Sequence, residues 1–526
     1  DARLLALDQR TGEVVWEVEV EDAGKGYSIT GGTRYYDGRV FLGLAGGEYQ
    51  TRGRVMAFDA DSGETVWTFY TIPGPGEVGH ETWPDYNDSW MYGGAPVWQT
   101  PAIDPELGMI YFSTGNAQPD LNGSLREGDN LFTVSIVALD VNTGEYRWHF
   151  QQTRHDIWDY DSSSPVVLFD VEQDGVPRKG LSQISKSGYL FLLDRITGAP
   201  LTPIVDTPVP QVPEQFTAAT QPIPQGDTMI NHCLEEAPEG WELVNNGCTY
   251  TPFGREPVLY TPLAGSNWMP TSYDPQTGTL YVCATESVGG AYMGDWTEEE
   301  IGQFDGSAEM GGGFSMPQGI PRRAYQVAVD VTNHMRKWRT EVSTCTAPSS
   351  VTAGGLLLTG RADMFTAIDS SNGDVLAEFL LDAGLYTNPV IVDHQGEQYV
   401  LLFAGGSAFG PGPKGDSLYL LSLNGSAALP TERADDSVQL STVMPVTESD
   451  LAGGETIYNT VCTTCHGADG QGGHADGGAI PRDITIEGIY ATAVTGVDEK
   501  MPSFANIYTP EQLKNVSAYI LERVLQ

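Results

Sequence analysis

Positive charge is the scarcest property of this 526-residue chain: 27 Lys and Arg stand against 70 Asp and Glu, a formal net charge of −43. That balance excludes nucleic acid and anionic membrane surfaces as partners by simple electrostatics. It favours solubility and a basic partner, or fits a saline habitat. Long apolar runs are also missing. No stretch reaches the roughly eighteen residues that span a bilayer, so no transmembrane segment is expected. No leader-like segment is present, and a chain opening at Asp1 instead of Met suits a mature or truncated product. Cysteine is sparse, six in all, with no two adjacent.

Two of those cysteines carry the most specific signal. Cys462-Thr463-Thr464-Cys465-His466 has the C-x-x-C-H spacing of covalent c-type haem attachment. Two thiols at this spacing reach the two vinyl groups of one haem, and the next residue sets an imidazole under the iron. Met501, in Lys500-Met501-Pro502, is the candidate second axial ligand, because a thioether raises the iron's potential and suits an electron acceptor. A zinc site lacks a second close Cys or His pair, His474 alone being insufficient, and a thioredoxin-like redox pair lacks its βαβ context. Haem c is attached outside the bacterial cytoplasm, so the expected location is periplasmic or secreted. There the remaining cysteines can form disulfides. Cys233 and Cys248 would close a short loop and Cys283 with Cys345 is the remaining pairing; four free thiols are the alternative.

The chain before this motif repeats one phrase: a small apolar residue, Asp, a turn ending in Gly, then Trp. It runs from Ala6-Leu7-Asp8 to Gly12 and Trp16, from Ala57-Phe58-Asp59 to Gly63 and Trp67, and from Ala138-Leu139-Asp140 to Gly144 and Trp148. Weaker copies begin at Asp194, Asp330 and Asp369. Short alternating runs such as Arg39-Val40-Phe41-Leu42-Gly43 lie between them and read as strands. Such a repeat predicts a β-propeller, with the tryptophans packed between blades. Insertions at 70–96 and 200–265 are expected to build a substrate side. The pattern covers residues 1–425. Residues 426–449, with Pro430, Asp435-Asp436 and Pro445, read as a linker. Residues 450–526 form a small all-α domain whose last helix opens with a capping box, Thr509 to Gln512, with Pro510 at its first position. Leu513, Val516, Ile520 and Val524 give that helix one apolar face.

A propeller of tryptophan-bearing repeats followed by a cytochrome c domain resembles the quinohaemoprotein alcohol dehydrogenases, relatives of methanol dehydrogenase that use pyrroloquinoline quinone (PQQ). Local motifs carry the resemblance along essentially the whole chain. Gly46-Gly47-Glu48, followed by Arg52-Gly53, matches the turn that offers a glutamate to the metal and amides to the quinone. Thr30 matches a threonine on the cofactor's carboxylate, and Trp98, in Gly93-Gly94-Ala95-Pro96-Val97-Trp98, the tryptophan floor under its ring. Thr114-Gly115-Asn116 matches a metal-ligand asparagine. His155-Asp156-Ile157-Trp158-Asp159-Tyr160-Asp161 matches the catalytic segment, with Asp159 as base. Lys186 matches the basic residue beside the quinone carbonyls, and Asn267-Trp268 a cofactor-binding pair. Singly, an Asn after Gly is commonly a turn residue and a lone Lys a solvated charge; here they occur in the family's order.

The resemblance implies an eight-bladed all-β propeller with its N-terminal part missing, then the cytochrome domain. It implies an alcohol dehydrogenase in which Asp159 removes the hydroxyl proton and Lys186 stabilises charge on the reduced quinone. Glu48, Asn116 and Asp159 supply the hard oxygen ligands that Ca²⁺ takes. Asp161 matches an extra aspartate of lanthanide-dependent relatives, so a lanthanide such as La³⁺ is the alternative to Ca²⁺; the plainer reading is that Asp161 caps a turn or meets solvent. Electrons then pass through haem c to an external acceptor, a soluble cytochrome, cupredoxin or quinone. Sugar, polyol and polymeric alcohols are alternative substrates, and a non-catalytic docking module is the alternative from another class. Two departures stand out: the family's adjacent cysteines and N-terminal arginine are absent, and Pro96 occupies a position where many relatives have threonine.

Overall fold

The computed structural model describes residues 2–303, 308–315, 322–407, 413–427, 448–472, 478–482, 486–497 and 508–525, with single positions at 317, 320, 429, 484, 501 and 504. The expected linker falls largely outside the described residues, as do His474, Lys500 and Pro502. The chain divides into two compact units, Asp1–Arg339 and Thr340–Gln526.

Seven antiparallel blade sheets follow one another along the described chain, each built from neighbours in sequence except the fifth, where Gly289–Met293 and Gly312–Phe314 of another sheet intervene. The first pairs Arg3–Leu7 with Val14–Glu19. The second contains Arg34–Tyr36, Arg39–Gly43, Arg54–Asp59 and Thr65–Tyr70, and the third Ala102–Asp104, Met109–Ser113, Ser135–Asp140 and Tyr146–Gln151. Val167–Gln173, Val176–Ile184 and Leu190–Asp194 form the fourth; Ser272–Asp274, Thr279–Glu286, Arg323–Asp330 and Met335–Val342 form the fifth. The second unit holds Ser349–Val351 to Val375–Leu380, then Val390–His394 to Ser417–Leu421. Meandering sheets in this order are blades of a β-propeller. Of the eight blades expected, seven sheets lie among the described residues, and the first of them has two strands.

The middle strands Arg54–Asp59, Met109–Ser113 and Ser135–Asp140 are buried on both faces, which is why they are mainly apolar. On Ser135–Asp140, Val137 and Leu139 enter the core shared with the second sheet, beside Phe41, Val55 and Trp67. Ile136 and Ala138 point the opposite way, toward Leu181 and Leu193 of the fourth. A strand's side chains alternate between faces, so one strand serves two interblade cores.

The repeated phrase explains how neighbouring sheets lock. Asp59 Oδ1 accepts the amides of Asp61 and Ser62 at 3.1 and 2.9 Å. Asp140 and Asp194 do the same one and two repeats on. Each turn closes on a glycine with positive φ: Gly63 at 76°, Gly144 at 72°, Gly198 at 75°. The preceding repeat's tryptophan then lies on that glycine. A Cβ at Gly144 would stand 2.7 Å from the Trp67 ring, and one at Gly198 2.6 Å from Trp148. The indole N–H donates to the carbonyl after the aspartate: Trp16 to Ala60 at 3.0 Å, Trp67 to Val141 at 3.2 Å, Trp148 to Arg195 at 3.3 Å. One pair departs from this. Thr202 stands eight residues after Asp194, where tryptophan is expected, and faces His334, four after Asp330, where glycine is expected; the two side chains are 3.5 Å apart. His334 keeps the left-handed backbone, at φ 61°.

The 200–265 insertion carries a hairpin, Ile204–Pro208 with Thr220–Pro224, and the expected Cys233–Cys248 disulfide. Cys283 and Cys345 are each disulfide-bonded as well. At the C-terminus, helices Glu448–Ile457, Ile486–Thr495 and Pro510–Tyr519 pack around Tyr458, Ile489, Val516 and Ile520. The last helix has its capping box: Thr509 Oγ1 accepts from Gln512 N and Gln512 Oε1 from Thr509 N, satisfying amides that the helix leaves open. Among the described residues no helix is long and apolar enough to cross a membrane.

Candidate active site and haem site

Asp159 sits in a left-handed conformation, φ 60°, on the loop after the third sheet. Such backbone is uncommon outside glycine, although aspartate adopts it more readily than most residues, and it persists where surroundings hold it. Here Asp156 enforces it by accepting Trp158 N at 3.1 Å and Tyr160 N at 3.0 Å. The flanking aromatics anchor outward, Trp158 Nε1 to Thr251 O and Tyr160 Oη to Pro262 O, both at 2.8 Å. Beneath the loop, buried Arg126 donates to the carbonyls of Asp156 (2.6 Å) and Pro119 (3.1 Å). Burial pushes Arg126 down to about 10 and Asp156 up to about 6.

Lys186 joins this loop to the fourth sheet. Its Nζ donates to Asp159 Oδ1 at 2.7 Å and pairs with Asp161 Oδ2. Burial alone would lower its pKa; the two carboxylates outweigh burial and raise it well above the ordinary lysine value. Asp161 is 3 % exposed, so it does not serve solvent. Its Oδ1 accepts from Asn116 N at 2.8 Å and Trp98 Nε1 at 3.3 Å. It therefore ties together three residues matched separately in the sequence, through the backbone of Asn116 and the side chains of Trp98 and Lys186.

Asn116 is fully buried and turned by an unforeseen partner. Its Nδ2 donates to Asp120 Oδ1 at 2.7 Å, leaving Asn116 Oδ1 and Asp120 Oδ2 without hydrogen-bond partners. Burial raises the Asp120 carboxyl well above its usual range, and the charges of Asp159 and Glu48 add to that. Glu48, on the short turn Gly47–Tyr49, is raised by burial and by Asp161. Asp159 is also raised well above the carboxylate range, by burial and by Asp161 and Glu48 against the pull of Lys186. Four carboxylates thus face one ammonium. Among the described residues no three His, Cys, Asp or Glu side chains close on one metal-sized point; the Lys186 ammonium lies between Asp159 and Asp161 instead. The two orphaned oxygens and the excess of carboxylate over ammonium still fit a multivalent, oxygen-seeking cation.

The turn is shaped around Pro96. A Cβ at Gly47 would meet its ring at 3.0 Å, and one at Gly115 would meet it at 2.7 Å and Asp161 Oδ1 at 2.4 Å. Gly46, φ 114°, passes so close to Gly26 O that only glycine fits. Thr30 Oγ1 donates to Trp98 O at 3.0 Å, so these two matched residues are neighbours, and the Trp98 ring stays partly exposed. Asn267 Oδ1 accepts from Trp268 N at 2.8 Å. Their loop is tied to the site by Gly265 N to Lys186 O at 2.6 Å and by Ser163 Oγ to Ser266 O at 3.1 Å. A part-exposed indole, a hydroxyl, an amide and a lysine, on segments linked by these bonds, fit a flat anionic quinone. Asp120 and Arg126 left no trace in the pattern: neither belongs to a motif, and each acts through contacts that only the fold creates.

In the second unit, Thr463–His466 follows the turn Tyr458–Cys462 without a break. His466 Nδ1 lies 2.8 Å from Gly478 O, a bond that fixes the ring and leaves Nε2 to an iron. Neither Cys462 nor Cys465 is in a disulfide. Burial and the neighbouring Cys465 push the Cys462 thiol up to about 12. Met501 lies on the apolar cluster of Tyr490, Val494, Phe504 and Leu513. A protected thiol pair, an oriented imidazole and a thioether in one helical domain fit haem c.

Comparison with known proteins finds matches for both parts of the chain. Residues 27–303 match the family described as glucose/ethanol/alcohol dehydrogenase, beta-propeller domain. Residues 449–520 match cytochrome C oxidase, cbb3-type, subunit III. Quinohemoprotein alcohol dehydrogenase ADH IIB of Pseudomonas putida is 30% identical over 99% of this chain and 77% of its own length. The solved structure of ADHIIG from Pseudomonas putida HK5 superposes with a TM-score of 0.69 at 29% identity, over 100% of this chain and 79% of that one. A europium-containing methanol dehydrogenase matches with a TM-score of 0.62 at 25% identity, over 77% and 70% of the two chains. The chain belongs to the quinohaemoprotein alcohol dehydrogenases, PQQ-dependent enzymes with a β-propeller and a cytochrome c domain.

Proposed function

We propose that this protein oxidises an alcohol outside the cytoplasm and passes the electrons through haem c to an external acceptor. The observation that carries the reading is the set of Glu48, Asp120, Asp159 and Asp161 around one Lys186, Asp120 and Asp161 buried and Glu48 and Asp159 partly so, with Asn116 Oδ1 unpartnered among them. Glu48, Asn116 and Asp159 hold the ion. Trp98, Thr30, Gly46, Gly47, Asn267 and Trp268 would hold the quinone, and Cys462, Cys465, His466 and Met501 would hold the haem. A bound quinone supplies two-electron acceptance with a hydride, a bound cation polarises oxygen, and a bound haem c carries single electrons.

The chain's own contribution is proton control and positioning. Asp159 receives the hydroxyl proton, and its raised affinity for protons suits a general base that must hold one. Lys186 gives it a fixed partner and supplies positive charge to oxygen atoms that gain electron density. Asp161 holds Trp98, Asn116 and Lys186 in register. Because its oxygens are already engaged by three N–H groups, Ca²⁺ is the first ion expected; a lanthanide requires Asp161 to give up Lys186. Its burial two residues after Asp159 favours that second reading. The propeller ends near residue 425 and the haem domain begins near 450, a boundary supported by where the turn–tryptophan repeat stops. The disulfide and the haem motif support a periplasmic or secreted location.

The test is to load the full chain with PQQ and either Ca²⁺ or La³⁺ and follow haem reduction by alcohols, polyols and sugars. Equal reduction with and without the added ion would remove the carboxylate cluster as an ion site.

A further inference from the structure

Lys186 rides on a tight turn, residues 185–188, closed by Gly188 N donating to Ser185 O at 2.9 Å. Two segments hold that turn. One is the Asn267 loop: besides the bond from Gly265 N to Lys186 O, a Cβ at Gly265 would stand 2.6 Å from Gly188 Cα. The other comes from the 200–265 insertion, and no motif in the sequence points to it. A Cβ at Gly188, φ 81°, would stand 2.6 Å from Ile230 Cδ1 and 3.2 Å from His232 Cε1. The His232 ring also lies flat on the ring of Tyr189, the residue that follows the turn, with centroids 4.0 Å apart and planes 4° apart.

Ile230 is fixed by burial in the core with Ile184, Leu190 and Leu192. His232 is fixed differently. Thr249 Oγ1 donates to Thr261 O at 2.7 Å, so it accepts from His232 Nδ1–H at 2.8 Å. Thr249 N donates to His232 O at 2.8 Å, and Leu234 N to Asn246 O at 3.0 Å. Between these two bonds, Cys233 is disulfide-bonded to Cys248. His232 Nε2 makes no hydrogen bond, so the ring bears on the turn by packing. The segment closed by the disulfide spans a separation of 15 residues, and Glu235, Glu236 and Glu239 within it are exposed. Burial does not anchor them; the covalent closure does.

We propose that His232 is a positioning residue for Lys186: its ring, clamped by the Cys233–Cys248 disulfide and by Thr249, backs the turn and keeps the ammonium between Asp159 and Asp161. A displacement on the order of 1 Å in such a group can cost about 10²-fold in rate, so the hold bears on turnover without touching substrate. The part Lys186 plays in the reaction rests on the function proposed above; the hold on Lys186 rests on these contacts alone.

The experiment is brief acetylation of the full haem-bearing chain with acetic anhydride, resolved lysine by lysine by mass spectrometry. Lys179 is the internal control, since it lies on the same sheet and is paired with Glu106 at 2.7 Å. His232→Ala should speed acetylation of Lys186 roughly tenfold or more and leave Lys179 unchanged. Cys233→Ser with Cys248→Ser should speed it in the same direction. His232→Phe, which keeps a flat ring on Tyr189 and Gly188, should restore slow labelling; His232→Asn, which keeps a donor toward Thr249 without the ring, should not. With PQQ, ion and alcohol supplied, haem reduction should fall roughly 10- to 100-fold in His232→Ala and recover in His232→Phe. Lys186 labelling that rises no more than that of Lys179 in His232→Ala overturns the proposal, as does equally fast labelling in His232→Phe and His232→Ala. Unchanged haem reduction in His232→Ala, in a chain that turns over, overturns it too. Labelling in the double serine variant no faster than in the unaltered chain overturns the disulfide's part. If the unaltered chain reduces no haem while labelling behaves as expected, the proposed function fails and the hold on Lys186 stands.

Discussion

Replacing Gly198 by alanine tests how the sheets are locked together. The new Cβ falls 2.6 Å from the Trp148 ring, on a residue held at φ 75°. Two costs combine: about 1–2 kcal/mol for an L-residue in the left-handed region, and about 1–3 kcal/mol for forcing a methyl into a packed contact. Gly175 is the matched control. It has the same φ of 75°, in the tight Asp174-Gly175 hairpin, and nothing lies within 4 Å of its added Cβ. Gly175→Ala therefore carries the backbone cost alone, and the difference of about 1–3 kcal/mol belongs to tryptophan docking. For a propeller this large, each kcal/mol moves the thermal midpoint by roughly 1–2 °C. Calorimetry of the full chain, with haem absorbance reporting separately on the C-terminal helices, measures both variants. Trp148→Phe in the Gly198→Ala background should cost less than the two changes added, since one relieves the other. If Gly198→Ala lowers the midpoint no further than Gly175→Ala, the tryptophans do not lock the blades as described.

Four other outcomes follow from the same structure. Asp159→Asn should leave the haem spectrum intact and slow substrate-driven haem reduction by roughly 10²- to 10⁴-fold; retained turnover removes Asp159 as the base. Asp120→Ala releases the Asn116 amide from its side-chain partner and should weaken ion binding by roughly 10- to 100-fold, read by ion titration. Met501→Ala should convert the reduced haem to a form that takes up carbon monoxide and should lower its potential; an unchanged spectrum rules out thioether ligation. His334 is held neutral by burial, its pKa pushed down to about 4. The unfolded chain takes up a proton near pH 6.5 and the folded one does not, so stability is full above that pH and is lost as pH falls toward 4. Between pH 7 and 5 the loss is about 2 kcal/mol, and His334→Asn, which tolerates the same backbone, should show that much less acid sensitivity in its unfolding midpoint.

What the sequence disclosed was local in range. The Asp-to-Gly turn, the tryptophan eight residues after the aspartate, the capping box at Thr509 and the C-x-x-C-H spacing all operate within a few residues. They were legible for that reason, and the structure contains each. Thr202 against His334 was not. Both replace the expected residue types, and only the fold reveals that the replacements face each other and substitute as a pair. Pro96 looked like a defect because its neighbours Gly47 and Gly115, which leave room for its ring, lie far from it in sequence. Asp161 shows the same limit: its spacing from Asp159 identified it, but its hold on Trp98, Asn116 and Lys186 depends on four separate segments meeting. Asp120 escaped altogether, since an aspartate in a chain this acidic carries no signal until its partner is seen.

The most direct test of the central claim is haem reduction in the full chain, supplied with PQQ, one ion and one alcohol and then with each omitted in turn. The account predicts reduction of the haem only when all three are present, and its loss in Asp159→Asn. Reduction that persists without the quinone or the ion, or an unreduced haem in a chain that has bound both and met every alcohol tried, would contradict it.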